Sequence, residues 1–250
     1  MQALTRGRYV AQLAQDAEDV ALAQGLRHLA FHASRGQAKW DARDADSFDA
    51  HARHLLVRLG PDGALVACCR LQVFQGAQIE DSYSAQFYDL HRLARFPGPM
   101  MEVGRFCLHP DCHDPDVLRL AWAALAQLVE AQGIGLLFGC SSFDGADAAR
   151  HGAALWGLVA RIGPEVWRPG IRAPEIVMLH DCAPPQGVPD RASAPPALLR
   201  TYLGMGGWVS DHAVLDRDLD TLHVMTGVEI DAIPPARARA LRLIAGMDVG

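Results

Sequence analysis

The stretch Met101–Pro110, with the sequence MEVGRFCLHP, is the part of the chain that decides the fold. It is typical of a strand, yet a strand seldom carries a carboxylate, a glycine and an arginine as closely spaced as Glu102, Gly104 and Arg105. Burying a charge costs free energy unless the charge is paired. Strict alternation places Glu102 and Gly104 on one face and Arg105 on the other, and a bulge at Gly104 would break that alternation and open the sheet. An edge-strand ion pair and a ligand site between strands are both open interpretations of this stretch.

The composition predicts a soluble globular protein. The chain has 250 residues, of which 50% are hydrophobic and 21% charged, as in one large domain or a domain with a tail. Its net charge of −6 disfavours nucleic acid as a partner. The six cysteines form no C-x-x-C pair and are typical of reduced thiols, which predicts a cytoplasmic location. No signal peptide or bilayer-spanning segment is expected.

Hydrophobic periodicity predicts the order strand, helix, hairpin, strand, helix, strand, helix, strand, which indicates a mixed sheet flanked by helices. The hairpin strands are expected over residues 54–59 and 64–74, around the turn GPDG. Residues 182–196 hold five prolines and are expected to form a linker. We therefore predict a core over residues 1–183 and a C-terminal extension over residues 184–250. Within that extension, residues 203–209 are expected either to touch a membrane surface or to pack onto the domain.

Three other chemistries fit the sequence poorly. Gly139–Phe143 follows a predicted strand, but the nucleophile elbow of a serine hydrolase needs glycine at position 143. The close spacing of Cys107, His109, Cys112 and His113 matches no common zinc pattern, so no metal is expected. No G-x-G-x-x-G or Walker sequence is present, and no resident cofactor is expected.

Arg27 in the first helix and Arg70 in the hairpin also stand in apolar surroundings. Taken singly, each is explained by a structural ion pair or by a snorkelling side chain. Together with Glu102 and Arg105, four charges in apolar contexts on three elements indicate one shared site.

These residues, in this order, resemble those of acyltransferases of the GNAT superfamily that use an acyl carrier protein. Two related families share the arrangement: the ornithine-acyl-ACP N-acyltransferases of ornithine lipid biosynthesis, and the acyl-homoserine-lactone synthases. Phe48-Asp49, Tyr83–Phe87 and Phe138–Gly145 favour the first family. The resemblance covers roughly residues 7–245 and implies a GNAT-like, mostly antiparallel central sheet flanked by helices.

The resemblance also implies roles for individual residues. Glu102 and Arg105 are the expected catalytic pair, and the base is expected to be a carboxylate such as Glu102. The expected substrate-binding residues are Arg27, Phe31, Asp46, Asp49, Arg70, Ser141 and Ser142. The expected contacts of the acyl thioester are Gly104, Phe106, Cys107 and Leu108.

One departure from the superfamily bears on the donor. GNAT enzymes usually carry an arginine- and glycine-rich loop that binds the pyrophosphate of coenzyme A. Residues 111–116 here read DCHDPD, with three acids and no glycine. Such a loop disfavours coenzyme A and favours an acyl carrier protein, whose phosphopantetheine has a single phosphodiester.

The resulting expectation is an enzyme that moves a fatty acyl group, with or without a 3-hydroxyl, from acyl-ACP to the α-amine of an amino acid, most simply ornithine. It would work in the cytoplasm, in peripheral contact with the membrane. An acyl-homoserine-lactone synthase and a non-catalytic carrier-binding protein are the alternatives.

Overall fold

The computed structural model describes residues 2–32, 42–182 and 194–247. Its helices are α1 Ala17–His32, α2 Pro115–Ala131, α3 Ala148–Gly157, α4 Ala197–Gly204 and α5 Pro235–Ala245. Its strands are β1 Leu4–Arg6, β2 Tyr9–Leu13, β3 Arg53–Leu59, β4 Leu65–Phe74, β5 Tyr88–Asp89, β6 Met100–Leu108, β7 Leu136–Asp144, β8 Gly170–Ile171, β9 Ile176–Met178, β10 Trp208–Asp216 and β11 Thr221–Glu229. The expected mixed α/β fold with mostly antiparallel strands is confirmed.

The chain forms two compact units. The first comprises Met1–Gln72, Met101–Gly133 and Pro235–Gly250, and the second comprises Val73–Met100 and Ile134–Pro234. Each unit is thus built from separated pieces of sequence. The predicted division between a core and an extension, after residue 183, lies outside the described residues.

The first unit is a sheet in the order β1-β2-β3-β4-β6 with helices packed on it. The pairs β1–β2, β2–β3 and β3–β4 are antiparallel, and β3–β4 is the predicted hairpin. Helix α1 begins where the Asp16 carboxylate accepts a hydrogen bond from the Asp19 amide at 2.9 Å. Ala23 and Leu26 of this helix are buried in one cluster with Leu56, Cys68 and Cys107 of the strands. This packing fixes the face of α1 that carries Arg27.

The second unit contains the antiparallel strands β7-β11-β10-β9 and the short ribbon β5–β8. Strand β10 was not expected from the sequence, because glycines and a tryptophan obscure its alternation. Met205, Trp208 and Val209 are 1%, 7% and 0% exposed. Of the two alternatives for residues 203–209, packing onto the domain is therefore the one that the structure has. Within the described residues, no helix is both long enough and apolar enough to cross a bilayer.

The buried histidine His223 of β11 generates a prediction about pH. Burial, with a smaller contribution from neighbouring His212, lowers the pKa of His223 to about 4. The unfolded chain takes up this proton near the ordinary histidine value of about 6.5. The folded state therefore loses stability relative to the unfolded state as the pH falls through that window.

We expect His223 to remove up to about 3 kcal/mol from the free energy of unfolding between about pH 7 and pH 4. Urea unfolding at a series of pH values measures this loss, and H223F should flatten that part of the profile. A profile of H223F parallel to the wild type would contradict the prediction.

Candidate active site

A buried arginine on α1 forms the centre of the site. The Arg27 guanidinium is 1% exposed. Its Nη1 and Nη2 donate to the two carboxylate oxygens of Asp49 at 2.7 and 2.9 Å, and its Nε donates to Asp44 Oδ2 at 3.0 Å. Nη2 also donates to the Asp44 backbone carbonyl. The Arg27–Asp49 pair is bidentate, which is the strongest pairing geometry between a guanidinium and a carboxylate.

The aspartates are positioned by a short turn between α1 and β3. Asp46 is the N-cap of the 3-10 turn Ser47–His51 and accepts from the Phe48 amide at 2.9 Å. In return, Asp49 Oδ2 accepts from the Asp46 amide at 3.3 Å. This reciprocal pairing is a capping box, for which the spacing of Asp46 and Asp49 is suited. The turn therefore orients both carboxylates.

Arg70 of β4 and Arg105 of β6 complete an ion-pair network. Arg70 Nη1 donates to Asp49 Oδ1 at 3.0 Å and to Asp46 Oδ1 at 2.5 Å. Arg105 pairs with Asp44, with 3.0 Å between Nε and Oδ2, and its Nη2 donates to Asp46 Oδ2 at 3.3 Å. Three arginines thus face three aspartates, and the formal charges cancel. The structure thus brings Arg27, Arg70 and Arg105 together in one charged network.

The aspartate side chains of the network differ in their exposure to solvent. The Asp49 side chain is 7% exposed, and that of Asp46 is 24% exposed. Burial raises the pKa of the Asp49 carboxyl, but hydrogen bonds from Arg27, Gln24 and Arg70 and the charge of Arg27 outweigh it and hold that pKa well below the usual range. Burial likewise lowers the pKa of His54, whose ring lies against the Asp49 carbonyl. Asp46 is the carboxylate that solvent and ligands reach most readily.

Strand β6 is distorted at Arg105. This residue has φ of 51°, in the left-handed region that glycine normally occupies. A bulge was expected around Gly104, and the residue that the structure shows in the left-handed region is its neighbour Arg105. A non-glycine residue there stores about 1 kcal/mol or more of strain, which the two ion pairs of Arg105 offset. The distortion lies three residues after Glu102, whose side chain is buried at 5% exposure.

The residues expected to contact the acyl thioester differ in burial and in the side chains around them. Phe106 stacks on Trp122 of α2, with 5.8 Å between ring centroids. Cys107 is buried, with its sulfur 3.6 Å from that of Cys68. That contact, together with burial, raises the pKa of the Cys107 thiol, so a thiolate nucleophile is disfavoured. Gly104 and Leu108 are half-buried, as is Phe31, which packs against the α1 cluster.

The two predicted substrate serines lie in the second unit, on adjacent positions of β7. Ser141 is buried, and its hydroxyl accepts a hydrogen bond from Thr226 Oγ1 at 2.9 Å. Ser142 is exposed. Because alternate residues of a strand face opposite sides, only Ser142 presents a hydroxyl to solvent.

Two residues of the network were not predicted from the sequence. Asp44 pairs with both Arg27 and Arg105, and Gln24 Nε2 donates to Asp49 Oδ2 at 3.0 Å. A signal for Asp44 existed, because it stands in the acidic run with Asp41 and Asp46. Gln24 precedes Arg27 by three residues and so shares its helix face.

The N-terminus of α2 is occupied by the protein's own acids. Asp114 caps the helix by accepting from the Asp116 amide at 3.0 Å, and it also accepts from the Tyr9 hydroxyl at 3.0 Å. Asp116 pairs with Arg6 and Arg119 at 3.0 and 2.9 Å. A helix N-terminus ordinarily attracts phosphate, and these carboxylates compete for that role.

Comparison with known proteins defines first the class and then the family. A family model described as the acetyltransferase (GNAT) domain matches residues 26–123, which include Arg27, the aspartates, Arg70, Glu102 and Arg105. The structure of an N-acyl amino acid synthase from uncultured soil microbes shares the fold, with a TM-score of 0.54, 11% identity, and coverage of 92% of this chain and 95% of that one.

The sequence relatives are more specific. The L-ornithine N(alpha)-acyltransferase of Rhodobacter capsulatus is 31% identical over 239 residues, covering 90% of this chain and 91% of the relative. The enzyme of the same name from Rhizobium meliloti is 31% identical, covering 89% of this chain and 80% of the relative. The chain belongs to the L-ornithine N(alpha)-acyltransferase family, and the resemblance inferred from the sequence is confirmed.

The aspartates of the network are buried to different extents. Replacing each one by asparagine should therefore lower the free energy of unfolding by a different amount. D49N leaves the fully buried Arg27 without its principal counter-charge, which should lower the free energy of unfolding by about 3 kcal/mol or more. D46N removes the most exposed carboxylate and should cost about 1 kcal/mol. Urea unfolding at neutral pH compares the two variants. Equal losses would show that the Arg27–Asp49 pair is not the centre of the network.

The backbone at Arg105 gives a second test, which separates strain from side-chain chemistry. R105G and R105A both delete the guanidinium, but only glycine adopts a positive φ without cost. We expect R105G to be more stable than R105A by about 1 kcal/mol. If alanine were the more stable of the two, the left-handed conformation at this position would be refuted.

Proposed function

We propose that this protein transfers a fatty acyl group from an acyl carrier protein to the α-amine of ornithine, giving the lyso form of an ornithine lipid. The observation that carries this proposal is the Arg27–Asp49–Asp46–Arg70–Arg105 network, which lies within the region matched by the GNAT model of a chain whose relatives bear the name L-ornithine N(alpha)-acyltransferase. The network supplies both signs of charge that an amino acid with a cationic side chain requires.

Acceptor recognition is assigned within the network by exposure and distance. Asp49 is committed to Arg27 through both oxygens, which leaves Asp46 as the partner for the δ-ammonium of ornithine. At 3.3 Å, the contact of Arg105 with Asp46 is longer than the hydrogen bonds described above that Arg27 and Arg70 make with the aspartates. We infer that the α-carboxylate of the acceptor takes the place of Asp46 on Arg105, while the δ-ammonium compensates Asp46.

The chemical step needs no covalent acyl-enzyme. The amine nitrogen attacks the thioester carbonyl, the C–N bond forms, the C–S bond breaks and the carrier thiol leaves. Glu102 accepts the proton that the attacking nitrogen gives up, directly or through a water, and this proton passes to the departing sulfur, which leaves as the thiol. Backbone amides at the distorted part of β6 polarise the carbonyl oxygen. The raised pKa values of Cys69 and Cys107 are in keeping with thiols that take no part.

The acids at the start of α2 support the choice of donor. Asp114 and Asp116 disfavour the pyrophosphate of coenzyme A more than the single phosphodiester of a carrier-bound pantetheine. The donor is thus a protein-bound thioester and the reaction calls for no resident cofactor or metal. Since the product pairs a fatty chain with a polar head, we further propose that the enzyme works in the cytoplasm, in peripheral contact with the membrane.

The direct test is to incubate the protein with acyl-ACP and ornithine and to identify the products by mass spectrometry. We expect Nα-acylornithine from the wild type, with acyl-ACP preferred over acyl-CoA of the same chain length. Because a general base typically contributes about 10²- to 10⁴-fold, E102Q should lower kcat by at least about 10²-fold.

Two controls make this experiment decisive. E130Q changes an exposed glutamate on α2 of the same unit and should leave kcat unchanged. Replacing ornithine by S-adenosylmethionine tests the lactone synthase. Turnover with that acceptor alone, or an E102Q variant as active as the wild type, would contradict the proposal.

A further inference from the structure

Helix α5 carries charge of the opposite sign to the chain as a whole. Its sequence, PARARALRLIA, has three arginines in eleven residues and no acidic residue. The whole chain, in contrast, has a net charge of −6. The proposed mechanism uses none of these three arginines. A basic surface on an acidic protein fits a partner that is itself negatively charged.

One face of α5 is used to hold the helix on the first unit. Gln127 of α2 donates from Nε2 to the Ala245 carbonyl at 2.9 Å. Ala245 is buried, and Leu241 and Ile244 are half-buried. Because residues three and four positions apart lie on the same side of a helix, these residues define the face that packs on the unit.

The opposite face of α5 is open to solvent. Ala236, Arg239, Ala240 and Leu243 are exposed, and their spacing of i, i+3, i+4 and i+7 places them along one side of the helix. Arg242 lies at the edge of this side. Leu243 is 61% exposed, the highest value among the exposed large hydrophobic side chains of the described residues. We refer to these five residues as the basic face of α5.

The arginines of α5 are available to a partner. Arg242 lies 3.5 Å from Glu130, but the two side chains are 49% and 56% exposed, and an ion pair in such surroundings contributes little. Arg237 and Arg239 are exposed, and within residues 2–32, 42–182 and 194–247 neither takes part in an ion pair or a side-chain hydrogen bond. Since a guanidinium keeps its charge at any ordinary pH, this face stays basic.

The features of the basic face favour an anionic lipid surface as its occupant. A second copy of the chain, docked through the same face, would set arginines against arginines. An acidic carrier protein has to present its phosphodiester at the start of α2, whereas α5 contacts Gln127, which lies eleven residues after Asp116, or about 16 Å along the helix. An anionic bilayer needs no groove, and it offers phosphates to guanidinium groups and an apolar layer to a leucine.

We propose that the basic face of α5 docks the protein on the surface of an anionic bilayer, with Arg239 and Arg242 on lipid phosphates and Leu243 among the head groups. The inference rests on the membrane contact of the proposed function and assigns that contact to one helix. Residues 203–209, the sequence candidate for it, hold the buried side chains of Met205 and Trp208. Two arginines and one leucine give reversible docking rather than permanent anchoring.

The first measurement is sedimentation of the protein with lipid vesicles, without any substrate. The wild type should bind vesicles of phosphatidylglycerol and phosphatidylcholine in equal parts, and should bind vesicles of phosphatidylcholine alone at least about tenfold more weakly. Rising salt should release it. Each arginine at an anionic surface contributes about fivefold, so R239Q/R242Q should lower the partition coefficient roughly 20-fold. Glutamine, like arginine, is a good helix former, so the helix is retained.

The matched control is R53Q/R161Q, which removes two exposed arginines outside α5 and changes the net charge equally. Arginines farther from the lipid than the Debye length contribute little, so this variant should lower the partition coefficient less than about threefold. Equal losses in the two double variants would overturn the proposal. A wild type that binds neither kind of vesicle, or both kinds equally, would overturn it as well.

The second measurement uses the wild type and needs no variant that folds. Phenylglyoxal modifies exposed arginines, and mass spectrometry of the digested protein reports each site. The anionic vesicles should protect Arg239 and Arg242 and leave Arg53 and Arg161 reactive. Protection of α5 by an acyl carrier protein and not by vesicles would overturn the proposal in favour of a carrier surface, and protection by higher protein concentration alone would overturn it in favour of a second copy.

The two measurements are independent of turnover, so they separate this inference from the proposed reaction. Formation of Nα-acylornithine by a protein that shows no docking through α5 would overturn the inference alone. Docking through α5 by a protein that forms no acylated amino acid would refute the proposed reaction alone.

Discussion

The burial of the Arg27 guanidinium is the constraint on which the site depends. A guanidinium cannot lose its proton at any ordinary pH, so it can be buried only where carboxylates meet it. Both carboxylate oxygens of Asp49 accept hydrogen bonds from it. Asp44 accepts from its Nε through the carboxylate and from its Nη2 through the backbone carbonyl. Arg27 therefore ties helix α1 to the segment that carries the aspartates.

The rest of the network follows from this pair. Because Asp49 caps the same turn as Asp46, fixing one carboxylate fixes the other. Arg70 and Arg105 then extend from neighbouring strands to share those carboxylates, and Arg105 adopts a strained backbone to do so. The strained backbone of Arg105 and its ion pairs belong to β6, the strand that carries Glu102. The charged cluster and the buried carboxylate are thus linked through one strand, and the proposed acceptor site and the proposed base share that strand.

The sequence predicted the members of this network better than their connections. Arg27, Arg70 and Arg105 were recognisable because each interrupts an apolar pattern, and the fold class followed from the order of patterned segments. The pairing could not be predicted, since which carboxylate meets which arginine depends on side-chain positions over distances of 17 to 59 residues. Gly104 was the natural candidate for a bulge, whereas the positive φ belongs to the adjacent Arg105, whose backbone nothing in the sequence singled out. His212 and His223 gave no signal at all, because a lone histidine in a strand is ordinary until its hydrogen bonds are known.

The claim most open to direct contradiction is that Asp46 recognises the cationic side chain of the acceptor. Norvaline has the carbon skeleton of ornithine without the δ-amine, so the ratio of kcat/KM for ornithine to that for norvaline isolates this contact. The account predicts a ratio of about 10² or more in the wild type, since pairing with a charged group is worth roughly 1.5–3 kcal/mol and an unpaired carboxylate adds to the penalty. D46N should bring the ratio close to unity. A D46N enzyme that still prefers ornithine as strongly as the wild type would contradict the account.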